Sequence, residues 1–88
     1  MSTTTTMRVA VRFFAAARAA AGTEAEEVIV PAGTTVQGLV DQLASRGPEL
    51  ERVLARCSYL CDGVAVRDSG MALLNTQTLD VLPPFAGG

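Results

Sequence analysis

The fold is decided by the stretch TTVQGLVDQLA, residues 34–44. Apolar side chains recur in it at the i, i+3, i+4 and i+7 spacing of one helix face. These side chains are Val36, Leu39, Val40 and Leu43. The hydroxyl of Thr34 can cap the first turn while Gln37 reaches back to it, in a Thr-x-x-Gln capping box. The stretch therefore predicts an amphipathic helix that begins at Thr34, ends at Gly47-Pro48 and buries its apolar face in a core.

Two strands and a short helix are predicted before this helix. Residues 8–14 alternate in polarity, as a half-buried strand does. The apolar face of that strand is formed by Val9, Val11 and Phe13. Residues 15–21 are strong helix formers that Gly22 stops after at most two turns. Residues 26–30, EEVIV, then predict a second strand.

Three further strands are predicted after the main helix. Residues 49–56 first contain a shorter helical piece. Asp62-Gly63 lies between two short apolar runs, which is a strong signal for a hairpin with a type I′ turn. Residues 78–82, TLDVL, predict the last strand. The C-terminal tail follows this strand at once.

The predicted order is strand, strand, main helix and three strands. A single amphipathic helix must bury its apolar face against one side of a sheet, which gives a two-layer α+β domain. The long connection permits a right-handed crossover that places the last strand parallel to the first. We therefore expect a β-grasp, or ubiquitin-like, fold in which a mixed sheet packs on one main helix. This domain is expected at residues 7–82, after a disordered lead-in at residues 1–6 and before a tail at residues 83–88.

The composition limits the chemistry. A length of 88 residues favours one domain, and a net charge of −2 argues against nucleic-acid binding. The chain contains neither His nor Lys, so the commonest general base and the Schiff-base amine are missing. It has no apolar run long enough to span a bilayer and no secretory signal. We expect a cytoplasmic protein that binds no nucleic acid, membrane, metal or cofactor and has no catalytic side chain of its own.

Cys57 and Cys61 are the two cysteines of the chain. Four residues apart on a strand, they would be about 13 Å from each other, too far for a disulfide. On a helix they would face the same way, but two thiols without His make a poor zinc site. We interpret both as buried or half-buried structural residues, with redox chemistry or sulfur handling as the alternative.

The chain ends in PPFAGG, residues 83–88. Pro83 and Pro84 fix φ near about −65° and lack an N–H group, so they leave the domain as a stiff, extended rod. Six extended residues reach about 20 Å, enough to enter a deep channel of another protein. The residues expected to lie in that channel are Pro83, Pro84, Phe85, Ala86 and Gly87. Phe85 would be the apolar anchor, Gly87 lets the channel close around the backbone, and the Gly88 carboxylate is the candidate reactive group.

Four motifs in the sequence carry a family resemblance. They are VAVRFFA at residues 9–15 with Arg18 and Gly22, the helix start Thr35-Val36-x-x-Leu39, the Asp62-Gly63 hairpin, and the ending Leu79-x-Val81-x-Pro83-Pro84-x-x-Gly87-Gly88. Together they resemble the MoaD/ThiS family of sulfur carriers, and within it the MoaD-type small subunits of molybdopterin synthase. The resemblance covers Met7 to Gly88. The chain departs from it at Asn75-Thr76, where many members have an Asp-Gly turn.

The resemblance implies a cycle with two partners. An ATP-dependent adenylating enzyme of the MoeB type would activate the Gly88 carboxylate. A sulfur donor would convert the glycyl adenylate into a thiocarboxylate, a C-terminal 1-thioglycine. The tail would then enter a MoaE-type large subunit and donate its sulfur to cyclic pyranopterin monophosphate in molybdenum cofactor biosynthesis. The chain would thus be the sulfur-donating, non-catalytic subunit of molybdopterin synthase, which is a transferase.

A partner surface is expected beside the first strand. Phe14 lies on the face of that strand opposite to its apolar side chains, so it is a candidate contact, with ordinary packing as the alternative. Arg8 and Arg12 could pair with acidic groups of the adenylating enzyme, the alternative being solvated surface charge. Tyr59 next to the hairpin is a further candidate.

Three other functions fit the same sequence. A sulfur carrier for thiamine or cysteine biosynthesis would use the same thiocarboxylate with another acceptor. A ubiquitin-like modifier would be joined to target lysines through Gly88. A β-grasp interaction module would have an inert, frayed terminus and would keep its function without Gly87 and Gly88.

Overall fold

The computed structural model describes residues 5–84. Within them the chain forms five strands and three short helices. In chain order these are β1 (Thr6–Phe13), α1 (Ala15–Ala21), β2 (Ala25–Pro31), α2 (Val36–Ala44), α3 (Pro48–Leu54), β3 (Ser58–Cys61), β4 (Val64–Ala65) and β5 (Thr78–Leu82). All the strands and helices that the sequence predicts are present, most with their ends shifted by one or two residues.

The strands form one mixed sheet in the order β2-β1-β5-β3-β4. β1 pairs antiparallel with β2 and parallel with β5, and β5 pairs antiparallel with β3. The predicted parallel pairing of the first and last strands is therefore confirmed. It places β5, the last strand in the chain, at the centre of the sheet.

One face of the sheet packs on the helices. Alternate residues of β1 are buried, and the register places Val9 opposite Val28 of β2. The buried side chains of strands and helices form a single cluster, whose large, fully buried members include Phe13, Leu39, Leu43, Leu73 and Leu79. The apolar residues on the alternating face of the strands and on the apolar stripe of the helices therefore meet in one core, as a two-layer α+β domain requires.

The main helix α2 begins two residues later than predicted. Its N-cap is Thr35, whose Oγ1 accepts a hydrogen bond from the Gly38 N–H at 3.0 Å. The predicted capping box at Thr34 is wrong, because Pro31 at the end of β2 holds that residue. The Pro31 carbonyl accepts both the Thr34 hydroxyl, at 2.7 Å, and the Thr34 N–H, at 3.1 Å.

The side chains of α2 follow the predicted stripe. Val36, Leu39 and Leu43 are buried and Val40 is half-buried against the same cluster. Gln37 does not reach back to the cap; its Nε2 donates to Asp41 Oδ1 at 2.8 Å. The helix ends at Ala44, before the predicted stop at Gly47-Pro48, and Pro48 instead opens α3.

The two short helices cover the rest of the core face. α1 ends at Gly22, whose φ of 78° lies in the left-handed region and whose N–H donates to the Arg18 carbonyl at 2.9 Å. It contributes Ala17, which is fully buried. α3 contributes Leu50 and Leu54. Helices this short are marginal alone, so their stability comes from this packing.

The turn between β3 and β4 is as predicted. Asp62 and Gly63 have φ of 49° and 82°, the two positive values that a type I′ turn requires. The long connection from β4 to β5 is fastened to the start of α2, since the Leu73 N–H donates to the Thr34 carbonyl at 2.9 Å and Ala72 forms a bridge with Thr35. Leu73 is buried at this point.

The N-terminal boundary differs from the expected one. β1 begins at Thr6, and the Thr5 carbonyl accepts the Ala32 N–H at 2.8 Å. Residue 6, expected in the lead-in, thus belongs to the sheet, residue 5 is hydrogen-bonded to the residue after β2, and residues 1–4 lie outside the described part. Among residues 5–84, no helix has the length and apolar character needed to cross a membrane.

Candidate functional site

The C-terminal tail begins at the end of the central strand of the sheet. β5 has β1 on one side and β3 on the other. Leu79 and Val81 on its core face are both fully buried. Because backbone hydrogen bonds on both edges and packing on one face fix this strand, they also fix the direction in which the chain leaves it.

The backbone pairing stops where the tail starts. The Phe14 N–H donates to the Val81 carbonyl at 3.2 Å. Pro83 and Pro84 have no N–H to continue the ladder. Pro83 is half-buried and Pro84 is exposed. The predicted stiff exit therefore lies at the centre of the sheet, where the chain turns from a paired strand into an unpaired segment.

The rest of the predicted tail lies outside the described residues. This segment comprises Phe85, Ala86, Gly87 and Gly88. The roles assigned to these residues from the sequence stay predictions.

An ion pair crosses the outer face of the sheet beside the exit. Arg12 and Asp80 occupy matching positions of the parallel strands β1 and β5. Arg12 Nε donates to Asp80 Oδ1 at 2.7 Å and Nη2 donates to Oδ2 at 2.8 Å, a bidentate pair. Asp80 is buried, whereas the Arg12 side chain is 53% exposed. The hydrogen bonds that Arg12 donates to Asp80, together with the negative charge of Asp80, raise the pKa of Arg12 above its ordinary value.

Phe14 lies against this ion pair. It follows the end of β1 as the N-cap residue of α1, and it is 37% exposed. The Arg12 guanidinium is 5.5 Å from the centre of its ring, within the range of a cation–π contact. Arg12 therefore connects buried Asp80 to partly exposed Phe14. Two predicted surface residues, Arg12 and Phe14, thus lie together next to the tail.

Arg8 lies at the other end of β1, away from the exit. Its backbone N–H donates to Asn75 Oδ1 at 2.9 Å, and its carbonyl accepts the Thr76 N–H at 2.8 Å. The loop at Asn75-Thr76, where the chain departs from the family pattern, is thus fastened to β1. The predicted partner contact of the Arg8 side chain stays a prediction.

Tyr59 is engaged within the domain. Its hydroxyl donates to the Leu54 carbonyl at 2.9 Å, which ties β3 to the last residue of α3. Burial, with a smaller contribution from Cys57, raises the pKa of Tyr59. The structure gives this half-buried side chain a structural contact, and its proposed partner contact stays a prediction.

Both cysteines are in packed surroundings. The half-buried Cys57 Sγ donates to the Val53 carbonyl at 3.2 Å, and Cys61 is buried; the two are free thiols. Burial raises the pKa of each thiol, which disfavours the reactive thiolate form. This agrees with the structural interpretation. In residues 5–84, no three or more His, Cys, Asp or Glu side chains are grouped so that they could hold a metal ion.

An open groove of about 720 Å³ lies at the base of the tail. Its walls are formed by Ala16 of α1, by Arg52, Val53, Ala55 and Arg56 of α3 and the turn after it, and by Pro83 and Pro84. The groove and the Asp80–Arg12–Phe14 group both adjoin the exit of the chain from β5.

Sequence reasoning missed Asp80 and this groove. Alternation in β5 does place Asp80 on the polar face, and alternation in β1 does the same for Arg12, so a shared face could have been inferred. Their pairing depends on the register between β1 and β5, and the two residues themselves are 68 positions apart in the chain. Arg52 and Arg56 are four residues apart and thus on one side of a helical turn, but the sequence does not show that the tail begins beside them.

The family comparison covers most of the chain. The model of the ThiS family matches residues 11–88. A search of the curated proteins finds no match.

Solved structures share the fold over nearly the whole chain. SAMP1 from Haloferax volcanii is 28% identical with a TM-score of 0.80, covering 92% of this chain and 99% of that one. A protein assigned as molybdopterin converting factor subunit 1 from Pyrococcus furiosus is 24% identical with a TM-score of 0.81, covering 90% and 99%. A complex of subunits 1 and 2 of molybdopterin-converting factor from Helicobacter pylori contains a chain 21% identical with a TM-score of 0.68, covering 93% and 100%. The fold is the ubiquitin-like β-grasp.

Proposed function

The chain belongs to the ThiS family of ubiquitin-like sulfur carriers, and on that premise we propose that it is the small, sulfur-donating subunit of molybdopterin synthase. In this role the C-terminal carboxylate of Gly88 is the group that carries the sulfur atom. The domain presents it to an adenylating enzyme of the MoeB type and then to a large subunit of the MoaE type.

The proposed chemistry needs no side chain of this chain. A Gly88 carboxylate oxygen attacks the α-phosphorus of ATP, and pyrophosphate leaves. Sulfur delivered at the oxidation level of sulfide attacks the glycyl carbonyl carbon, and AMP leaves with the original oxygen. The thiocarboxylate sulfur then attacks a carbon of cyclic pyranopterin monophosphate; the C–S bond forms as a C–O bond at that carbon breaks, and the oxygen leaves on its phosphate or, after protonation, as water. Water cleaves the resulting thioester, which leaves the sulfur on the pterin and restores the carboxylate.

The observation that carries the proposal is the exit of the chain from β5. The strand beneath it is held by neighbours on both edges, and Pro83-Pro84 follow it without a flexible spacer. This arrangement fixes the point at which the chain leaves the sheet at Pro83-Pro84. Preorganisation of this kind lowers the entropy lost when a tail enters a channel.

The side chains near the exit are suited to docking and not to catalysis. Arg12 is neutralised by Asp80, and burial raises the pKa values of Cys57 and Cys61. This supports the proposal that the catalytic groups belong to the partners. The Helicobacter pylori neighbour is a complex of two subunits, which supports a large-subunit partner of the MoaE type.

The direct test is the intact mass of the protein isolated from its native cell. We expect a fraction of the chain to carry a mass gain equal to one sulfur in place of one oxygen, located by fragmentation at Gly88. Deletion of Gly88 is the matched control and should eliminate the gain. Loaded protein mixed with the large subunit and cyclic pyranopterin monophosphate should form molybdopterin. A loaded chain that instead supplies only a thiazole or cysteine synthase would overturn the choice of pathway.

A second function, protein modification, is favoured by one observation. The SAMP1 structure from Haloferax volcanii is 28% identical to this chain, more than the two molybdopterin-converting factor subunits at 24% and 21%. A modifier would form heavier conjugates that survive reducing denaturation and disappear when Gly88 is deleted. Since the chain contains no Lys, such conjugates would not include lysine-linked chains of this protein alone.

A further inference from the structure

The groove at the base of the tail combines an apolar floor with two positive charges. Val53 is half-buried in it, and Ala16 and Ala55 are small residues that leave its surface open. Arg52 is in the last turn of α3, and Arg56 follows the end of that helix. Both arginines are exposed. Among residues 5–84 nothing covers the groove, and its size can accommodate a segment of another protein.

The two arginines have no partner among the described residues. The ion pairs within residues 5–84 are Arg12–Asp80 and Arg46–Glu26. The side chains of Arg52 and Arg56 form neither an ion pair nor a hydrogen bond within the same part of the chain. In a protein whose net charge is −2, the groove thus has a local positive charge that the domain does not neutralise.

The position of the groove relates these charges to the tail. Pro83 and Pro84 form one of its walls. A protein that encloses the residues after Pro84 must bring the entrance of its channel against this wall, and hence beside the arginines. An acidic segment at that entrance would satisfy both charges, and apolar side chains on it would cover Val53.

We infer that this groove docks an acidic segment at the channel entrance of the large subunit, with Arg52 and Arg56 as its charge contacts. The inference rests on the proposed function for the entry of the tail into that subunit. It adds a second contact outside the channel, which sets the orientation of the domain and increases the rate of encounter. Charges at the rim of an interface act mainly on association rate and its salt dependence.

The test measures binding of the full-length chain to the purified large subunit by stopped-flow and calorimetry. Arg56→Glu should weaken binding by about tenfold or more, mainly through slower association. Arg67→Glu makes the same charge change at an exposed position outside the groove, and it should have little effect. Arg56→Lys keeps the charge and should restore most of the affinity. The difference between Arg56→Glu and the natural chain should shrink as salt is raised.

A structural role of the arginines gives a different result. Arg52 near the C-terminus of α3 can stabilise that helix, so its substitution can lower thermal stability. Arg56→Glu should leave thermal unfolding unchanged while binding falls. Equal binding of Arg56→Glu and Arg67→Glu would overturn this inference alone. Tighter binding of Arg56→Glu would show that the tail of the free chain occupies the groove, which also overturns it. Failure of the natural chain to bind the large subunit would overturn the proposed function as well.

Discussion

The two ends of β5 are held in different ways. At its start, polar side chains fasten the strand. The Thr78 N–H donates to Asp62 Oδ1 at 2.9 Å, and the Asp62 N–H donates back to the Thr78 carbonyl at 2.9 Å. Just before it, Asn75 and Gln77 accept the N–H groups of Arg8 and Leu74. The beginning of the strand is thus fixed by specific donors and acceptors.

The end of β5 lacks such fastening. On the β1 side, the last backbone hydrogen bond is the one that the Phe14 N–H donates to the Val81 carbonyl. On the β3 side, the last paired position is Leu82 opposite Ser58. Pro83 and Pro84 then follow without donors. The strand β5 therefore has two roles. Its first residues secure the fold, while its last residues release the chain in a fixed direction.

The largest expected effect is a loss of sulfur transfer without a loss of stability, caused by a substitution in the tail that follows β5. Gly87→Ala places a Cβ where a channel must close around the backbone, so we expect loss of adenylation or of sulfur transfer. Among the described residues 5–84, the buried core runs from Met7 to Val81, and Gly87 lies beyond it in the chain. The unfolding free energy should therefore change by less than about 0.5 kcal/mol. Mass spectrometry measures how much of the chain carries sulfur, and urea denaturation measures the unfolding free energy. Normal sulfur transfer by this variant would contradict the channel hypothesis.

The next largest effect is a loss of stability, which we compare between the buried middle of β5 and its last residue. Leu79→Ala removes a fully buried side chain and should lower the unfolding free energy by about 2–5 kcal/mol. Leu82→Ala is the matched control at the last position, where the side chain is only half-buried, and it should cost less. Urea denaturation of both variants measures the difference. Equal losses would mean that the released end is held as firmly as the middle.

A smaller effect concerns Tyr59, which lies opposite Val81 near the released end. Tyr59→Phe removes the hydrogen bond to the Leu54 carbonyl and should lower stability at neutral pH by about 1 kcal/mol. Burial raises the pKa of Tyr59 above its ordinary value of 10.0. Above that pH the unfolded tyrosine ionises while the folded one stays protonated, so the natural chain loses stability that the variant keeps.

The two stability curves should therefore converge as the pH rises above about 10. Thermal unfolding from pH 7 upward measures this. Cys61 titrates in both proteins and does not contribute to the difference, whereas the charge of Cys57 adds to the raised pKa of Tyr59 and is part of the same effect. A constant gap at all pH values would show that the Tyr59 hydroxyl is not protected by burial.

The smallest expected effect is a change of stability at Thr76, in the loop just before the start of β5. Thr76 has a φ of 68°, in the left-handed region that a β-branched residue rarely adopts. Thr76→Gly removes this strain but adds freedom to the unfolded chain, so we expect a gain of up to about 1 kcal/mol. Thermal unfolding checks it, with Thr5→Gly as a control outside the turn. A loss of stability at Thr76→Gly would show that side-chain contacts outweigh backbone strain.

Much of the fold could be predicted because its signals are local. Alternation in β1, the apolar stripe of α2 and the Asp62-Gly63 turn each depend on residues that are neighbours in the chain. The prediction was wrong at Thr34, where the Pro31 carbonyl competes with the helix for the hydroxyl. That contact depends on how the end of β2 turns, which residue spacing does not specify.

The candidate site was predicted less completely. The tail could be recognised because its properties belong to Pro83, Pro84 and the terminal glycines themselves. The partner of Arg12 could not be read from the sequence, because Asp80 reaches it only through the register of two parallel strands. Tyr59, expected as a candidate partner contact, donates to the Leu54 carbonyl, and its role in partner binding stays a prediction.

The sequence by itself determined the β-grasp elements, the family and the stiff exit at Pro83-Pro84, because periodicity, turn residues and proline geometry act over a few neighbouring positions. Only the tertiary structure decided what surrounds that exit. The sheet brings Asp80 to Arg12 and Arg12 to Phe14, and the packing of α1 and α3 places Arg52 and Arg56 beside the prolines. Apart from Arg12 and Phe14, which are two residues apart, these neighbours are distant in the chain, so the chain crossing that buries β5 at the centre of the sheet is what brings them together.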